Sequence, residues 1–340
     1  MPPKDEGLTG DGERVRILVE LSGEQPALAR AEALAALEAS GARTRFLAAE
    51  SRLLAVETDA DPAWLGRRLG LAHYVEELIA WGTLEEALEA ARALDFGDRT
   101  FRVRVNSLKS CHNKREIEAQ VGDRVRGRVD LANPQEEVRL IEGERHYLCR
   151  RLAAIDRHAF EARKVEARPF VQPITLHPRF ARALVNLARL RDGGVLLDPF
   201  CGTGGVLLEA GLIGADLVGG DVRADMVEGC RATLRAFGLE ALLLAADVGD
   251  LPEQVGTVDA VAMDPPYGRA TSTRGEPLPS LYRRALAAVV EVLRPGGHVA
   301  MIVPDPALAA LPTELEYVES HALRVHRSLT RHFVTARRAR

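Results

Sequence analysis

Asp264-Pro265-Pro266-Tyr267-Gly268 combines residue types that suit one kind of chemistry. It follows Val258-Asp259-Ala260-Val261-Ala262-Met263, an apolar run that reads as a buried strand. An exocyclic amine on an aromatic ring is a poor nucleophile because its lone pair is delocalised. A carboxylate that accepts one of its hydrogens, and a rigid proline carbonyl that accepts another, draw the nitrogen toward a pyramidal geometry. Asp264 and Pro265 supply those two acceptors, and Tyr267 offers a face on which the ring can stack. The same residues would also make a capped proline turn with no ligand.

A second group comes earlier. Asp198-Pro199-Phe200-Cys201-Gly202-Thr203-Gly204-Gly205 follows the predicted strand Val195 to Leu197 and opens a helix predicted over 204–212. Glycines there let the backbone approach a ligand and take dihedrals closed to other residues. The spacing is not the Gly-x-Gly-x-x-Gly of a dinucleotide fold, and Asp198 would repel a pyrophosphate but welcome a cation. A tight strand-to-helix turn is the bland alternative. Asp221 ends the next predicted strand, beside Val222, where its carboxylate can take both hydroxyls of a ribose. Asp247 ends the one after, where it can take an adenine amino hydrogen while the Val248 N–H donates back to the ring. Acids at successive carboxyl ends of strands are expected to hold a nucleoside that carries positive charge, and S-adenosylmethionine has that composition.

The elements that must position these groups alternate from about residue 177 onward. A helix is predicted over 177–190, then strands over 195–197, 216–221, 241–246, 258–263 and 297–303. The helices 204–212, 224–236 and 278–293 lie between them. Apolar strands alternating with helices predict an α/β fold with parallel strands covered on both faces. Two closing runs, 315–323 and 329–336, are expected as an antiparallel pair at the sheet edge. Upstream, 14–95 reads β-α-β-β-α-β, the order of a ferredoxin-like unit. Residues 100–165 read as a second small α/β unit, in which Phe101 to Val105 alternates apolar residues with arginine. The stretch 166–176 reads as a linker. A polar loop over 269–278 is placed to clamp a base turned out of its stack, or is an ordinary surface loop.

Composition narrows the class. No apolar run reaches the roughly 18–20 residues of a membrane span, and Met1 to Glu13 is too acidic for a signal peptide. The four cysteines, Cys111, Cys149, Cys201 and Cys230, form no Cys-x-x-Cys pair. That argues against a zinc site or a disulfide framework and for the reducing cytoplasm. The formal net charge is −4, but it is unevenly spread: about −9 over 1–98, +6 over 99–168 and −1 over 169–340. Arg324 to Arg340 holds six arginines and no acid. A basic middle and a basic tail are candidate nucleic-acid contacts, or solvated surface.

These residues resemble a known pattern. Asp198 to Gly205 and Asp264 to Gly268 look like the class I methyltransferases that modify exocyclic amines. His177-Pro178-Arg179-Phe180-Ala181-Arg182-Ala183-Leu184-Val185-Asn186-Leu187 and the tail Arg327-Ser328-Leu329-Thr330-Arg331 resemble archaeal tRNA guanine-10 N2-methyltransferases. Residues 100–165, with Arg102-Val103-Arg104-Val105-Asn106 and Leu131-Ala132-Asn133-Pro134, look like a THUMP domain. The resemblance implies a ferredoxin-like domain over 1–95, a THUMP RNA-binding domain over 96–165, and a linker over 166–176. A Rossmann-like methyltransferase domain with a mostly parallel seven-stranded sheet follows over 177–340. It implies transfer of one or two methyl groups from S-adenosylmethionine to N2 of guanosine 10 of tRNA. In this pattern Asp264, Pro265 and Tyr267 are catalytic. Asp198, Gly202, Thr203, Gly204, Asp221, Val222, Asp247 and Val248 bind the cofactor, and His177 lies near its amino-acid end. A monomer needing no metal and no membrane is expected. The THUMP helix departs from a basic surface by mixing Glu116, Glu118 and Asp123 with its cations. Methylation of ribosomal RNA guanine or DNA adenine, and an RNA chaperone with a structural nucleoside, are the alternatives.

Overall fold

The computed structural model describes residues 14–108, 113–172, 176–267, 275–327 and 329–340. Expectations that fall on Met1 to Glu13, Cys111, Pro173, Gly268, the clamp residues 269–274 and Ser328 lie outside the described residues. The chain divides into two compact units. One takes the chain up to Val19 together with Ala42–Pro62 and Val75–Leu152; the other takes Glu20–Gly41, Ala63–Tyr74 and Ala153–Arg340.

The N-terminal pattern runs β1 (Val15–Leu21), α1 (Pro26–Ser40), β2 (Thr44–Glu50), β3 (Leu53–Thr58), α2 (Pro62–Arg68) and β4 (Ala72–Gly82). The next stretch runs α3 (Leu84–Ala91), β5 (Asp95–Ser107), α4 (Lys114–Gly122), β6 (Arg126–Val129), β7 (Glu136–Glu142) and β8 (His146–Ala154). All eight strands join one sheet in the order β2-β3-β1-β4-β8-β7-β5-β6. Its first four strands have the ferredoxin-like arrangement, and β4 continues directly onto β8. A capping box at Thr83 and Glu86 starts α3. The helix that carries Glu116 and Glu118 stops at Gly122, because the Arg126 N–H bonds the Leu94 carbonyl at 3.0 Å and the chain turns to pair with β5.

In β5 the predicted alternation is realised: Phe101, Val103 and Val105 are buried beside Val138, Leu140 and Leu148. The arginines of this region are less free than their number suggests. Arg102 bonds Glu137 at 2.7 Å, Arg150 bonds Glu77 at 2.8 Å, and Arg99 bonds Glu136. Arg139 pairs with Glu76 at 2.7 Å where both are buried. A good part of the local positive charge is therefore matched inside the unit. Arg126 and Arg128 on β6 remain exposed.

In the other unit, α1 packs with a helix from the C-terminal half, α6 (Pro178–Leu187), which follows the short α5 (Arg157–Glu161). Polar groups seal the packing. Glu32 on α1 is fully buried and accepts from the N–H groups of Gly70 (2.7 Å) and Leu71 (2.8 Å) and from Asn186 Nδ2 (2.8 Å). Arg68 donates to Asn186 Oδ1 at 2.8 Å and to the Leu190 carbonyl. Burial pushes the Glu32 carboxyl up to about 6 from its ordinary 4.5, against the pull of those three donors and the Arg182 charge. The folded state thus holds a proton that the unfolded state gives up earlier. The resulting stabilisation is complete below pH 4.5 and is lost as pH rises through 6. Relative to a Glu32→Gln variant, the unfolding free energy of the native chain is expected to fall by about 2 kcal/mol over that window. Urea titrations of both proteins at stepped pH measure it, and parallel pH curves would refute it.

The remaining elements are β9 (Val195–Asp198), α7 (Gly205–Gly211), β10 (Asp216–Asp221), α8 (Ala224–Ala236), β11 (Leu242–Ala245), β12 (Val258–Met263), α9 (Leu278–Val292), β13 (Leu293–Val303), β14 (Leu315–His326) and β15 (Leu329–Arg338). They build a seven-stranded sheet ordered β11-β10-β9-β12-β13-β15-β14. From β11 to β13 the pairing is parallel, and β15 and β14 close the edge antiparallel, as the two closing runs predict. Leu197, Val261, Met263, Val299, Met301 and Val303 fill the core with Leu286 and Val289 of α9. The order reverses between β9 and β12, and the crevice at the carboxyl ends there is where open α/β sheets take ligands. No described helix is long and apolar enough to cross a membrane. Among the described residues no cluster of three or more His, Cys, Asp or Glu side chains could hold a metal ion.

Candidate active site

The strand ends deliver the predicted acids, and three of them interact. Asp198 closes β9 and is 1 % exposed; its Oδ1 accepts the Phe200 N–H at 3.1 Å. Burial raises its pKa well above the carboxylate range, and the charges of Asp264 and Asp221 raise it further. Asp221 closes β10. Its two oxygens accept from the N–H groups of Gly202 (3.1 Å) and Arg223 (2.9 Å), tying the glycine turn to the second strand. Burial raises its pKa too, and those two N–H groups oppose the rise. Asp264 follows β12, with burial raising its pKa while the Arg331 charge and then the Tyr267 hydroxyl hold it down.

The turn between β9 and α7 needs its glycines. Gly202 has φ +49° and Gly204 has φ +83°, both in the left-handed region. A Cβ at Gly204 would sit 2.8 Å from the Cys230 sulfur on α8. Gly204→Ala is therefore expected to cost about 1–3 kcal/mol of stability and to weaken cofactor binding. Thermal unfolding with and without S-adenosylhomocysteine reads both effects, and a variant that matches the native protein would remove this role. Thr203 is buried beside these glycines. Cys201 and Cys230 are buried thiols; the hydrogen bond between them and their burial push the Cys201 thiol up, which makes it a packing group rather than a nucleophile.

Three predicted residues have surroundings the sequence did not suggest. Asp247 lies beyond β11 and caps a short 3-10 turn over Val248–Glu253 by accepting the Gly249 N–H at 2.9 Å. Arg284 of α9 also engages both of its oxygens and bonds Glu276 at 2.7 Å. Asp247 thus has a guanidinium bonded to its carboxylate, whereas Asp221 feels the Arg223 charge and bonds only that residue's backbone N–H. Val248 is buried at the start of the 3-10 turn, and Val222 follows Asp221 at the end of β10. His177 is the N-cap of α6 rather than its first residue. Its Nδ1 accepts the Arg179 N–H at 3.2 Å, which leaves the proton on Nε2, 3.3 Å from Glu161. Burial and then the Arg179 charge hold its pKa below the usual range, so it is neutral at pH 7.

Tyr267 differs most from expectation. Its hydroxyl donates to Asp264 Oδ1, so it binds the acceptor as well as offering a ring. A shielded carboxylate needs a donor, and the tyrosine three residues on is placed to be one. Burial and then the Asp264 charge raise the Tyr267 pKa, so the phenol keeps its proton. Pro265 is buried at the turn, and the neighbouring Pro266 carbonyl accepts from Tyr282 of α9 at 3.3 Å, which anchors the turn to the helix. Tyr282, Arg284 and Arg331 are site neighbours that sequence reasoning missed as such. Arg331 belongs to the basic tail, yet it is only 7 % exposed.

Comparison with known proteins agrees with this architecture. A family model described as RMKL-like, methyltransferase domain matches residues 166–332. The chain is 33 % identical over 330 residues to the tRNA (guanine(10)-N2)-dimethyltransferase of Methanothermobacter thermautotrophicus, covering 93 % of this chain and 98 % of that protein. The enzyme of the same name from Pyrococcus abyssi is 33 % identical over 329 residues, covering 93 % and 97 %. Among solved structures, TrmN from Thermus thermophilus superposes with a TM-score of 0.53 at 26 % identity, over 95 % of this chain and 99 % of that one.

Proposed function

Since this chain belongs to the family of tRNA (guanine(10)-N2)-dimethyltransferases, we infer that it methylates the exocyclic N2 of guanosine 10 in tRNA, with S-adenosylmethionine as donor. The observation that carries this reading is the meeting of Asp198, Asp221 and Asp264 at neighbouring strand ends around the switch point. Carboxylates that raise one another's pKa call for a cationic ligand, and a sulfonium with an ammonium group meets that need. The glycine turn fits as well: a side chain at Gly202 would first meet the Phe200 carbonyl at 3.8 Å, so the backbone there is open to close approach. When bound, the donor supplies an electrophilic methyl carbon.

The rest falls to the chain. Asp221, with an N–H group on each oxygen, keeps lone pairs for two ribose hydroxyls. Asp198 lies with the cationic amino-acid portion, with His177 nearby as a neutral group. Asp247 and the Val248 N–H take the adenine edge, where the amino group shares the carboxylate with Arg284. Asp264 accepts a hydrogen of the guanine amine and takes the proton that the nitrogen sheds on alkylation. The Pro265 carbonyl is the second acceptor, and the Tyr267 ring is a stacking surface for the extruded base. Residues 96–165 act as the THUMP module that docks the tRNA, preceded by the ferredoxin-like 1–95.

The test is labelled methyl transfer to an unmodified tRNA transcript, followed by nucleoside analysis. The expected products are N2-methylguanosine and N2,N2-dimethylguanosine, absent when guanosine 10 is replaced. Methyladenine, transfer to ribosomal RNA or DNA instead, or no transfer would overturn the reading.

A further inference from the structure

We propose that Arg331 is a positioning residue for Asp264: its guanidinium lies over the Tyr267 ring, so that Tyr267 grips one carboxylate oxygen and the other is presented to the incoming amine. Four observations place it there. Arg331 projects from β15 and is 7 % exposed, although it belongs to a tail rich in exposed arginine. Its guanidinium carbon lies 5.9 Å from the centroid of the Tyr267 ring, within the range of a cation–π contact. The Tyr267 hydroxyl in turn donates to Asp264 Oδ1. Among the described residues the buried Arg331 Nε has no hydrogen-bond partner, so no ordinary ion pair to one of them holds the side chain through that atom.

A cost comes with burying such a cation, and the surrounding charges explain what offsets it. Asp264 sits on the β12 turn, with Asp198 at the end of β9, Tyr282 on α9, Tyr267 on its own turn and Arg331 on β15. Asp198 is a second acid and the tyrosines keep their protons, so among the described residues Arg331 is the positive group acting on the carboxylate. Burial favours the protonated acid, which cannot accept a proton from the amine; Arg331 and then Tyr267 oppose that shift. A broad, always-charged guanidinium serves both needs, whereas lysine would keep the charge and lose the delocalised cation that lies over the ring.

The proposal rests on Asp264 being the acceptor, so its test carries a separate arm for that reading. Full-length native chain, Arg331→Gln, Arg331→Lys and Asp264→Asn are assayed for single-turnover methyl transfer to a tRNA transcript from pH 5.5 to 9. Cofactor affinity and thermal midpoint are measured beside them. In Arg331→Gln the rate is expected to fall on the order of 10- to 100-fold. The loss should be greatest at the acid end, because without the cation Asp264 protonates at higher pH and the acid limb moves up. Arg331→Lys should keep the limb near its native position with a smaller loss. A loss in Arg331→Gln that is uniform across pH and tracks a lower thermal midpoint would mean a structural role, and an unchanged rate would mean none; either overturns the proposal. If Asp264→Asn itself turns over normally, the acceptor assignment fails first. If Asp264→Asn is inactive and the limb in Arg331→Gln does not move, only the role of Arg331 fails.

Discussion

Asp264→Asn is expected to lower kcat by about 10²–10⁴ while leaving S-adenosylmethionine affinity close to native. Asparagine keeps the size of the side chain but replaces an anionic acceptor with a neutral amide. The lost interaction strengthens as positive charge develops on the amine, so it appears in turnover rather than in binding of the donor. On the proposed reading the donor's contacts come from the β9 and β10 ends, through Asp198, Asp221 and the glycine turn, whose own hydrogen bonds this change leaves in place. Native turnover also carries a pH signature. Burial raises the Asp264 pKa, so activity is lost as pH falls through a value above that of a solvent-exposed aspartate. Single-turnover rates with calorimetric titration of the cofactor separate the two effects. Native-like kcat in the variant would remove Asp264 from the chemistry.

The second large effect concerns stability. Glu209 on α7 is fully buried and takes Arg163 in a two-point pair at 2.6 and 3.0 Å, with Arg182 at 3.0 Å. Arg163 and Arg182 both lie against the ring of Phe160, at 4.1 and 5.5 Å from its centroid. Arg168 donates to the Arg163 carbonyl at 3.0 Å and feels the Glu209 charge as well. One carboxylate thus serves several buried guanidinium groups. Removing it in Glu209→Gln leaves those cations without their counter-charge, which costs about 3–5 kcal/mol. A fall in thermal midpoint on the order of 10 °C is expected. The affinity and acid limb of whatever folded protein remains should be native-like, because Glu209 does not contact the strand-end acids. A midpoint within about 1 °C of the native value would show that the cluster contributes little.

Much of this molecule was legible before any coordinates. The alternation of apolar runs and helices located β9 to β13 and α7 to α9 to within a few residues, because buried parallel strands must be apolar throughout and short. The exception at β13, which begins at Leu293 rather than 297, arises where α9 runs straight into the strand. Acids at the ends of β9, β10 and β12 were visible as breaks in apolar runs, and positive-φ glycines as a turn without side chains. Side-chain pairing was less accessible. Asp247 was read as one of a row of equivalent acids, but Arg284, 37 residues further on in α9, decides its surroundings. The basic middle segment was read as available charge, although Glu76, Glu77 and Glu137 hold three of its arginines.

The sequence by itself determined the fold class, the family and which residue is the candidate acceptor, since all three depend on local pattern: period, strand-end residues and a short motif. Only the tertiary structure decided how Asp264 is held. Tyr267 lies three residues away, but Arg331 comes from β15, which enters the sheet antiparallel beside β13 and returns the tail of the chain to the carboxyl ends of the parallel strands. Contacts of that kind follow from strand order rather than from spacing. A buried arginine in a basic tail therefore becomes recognisable only once the sheet is closed.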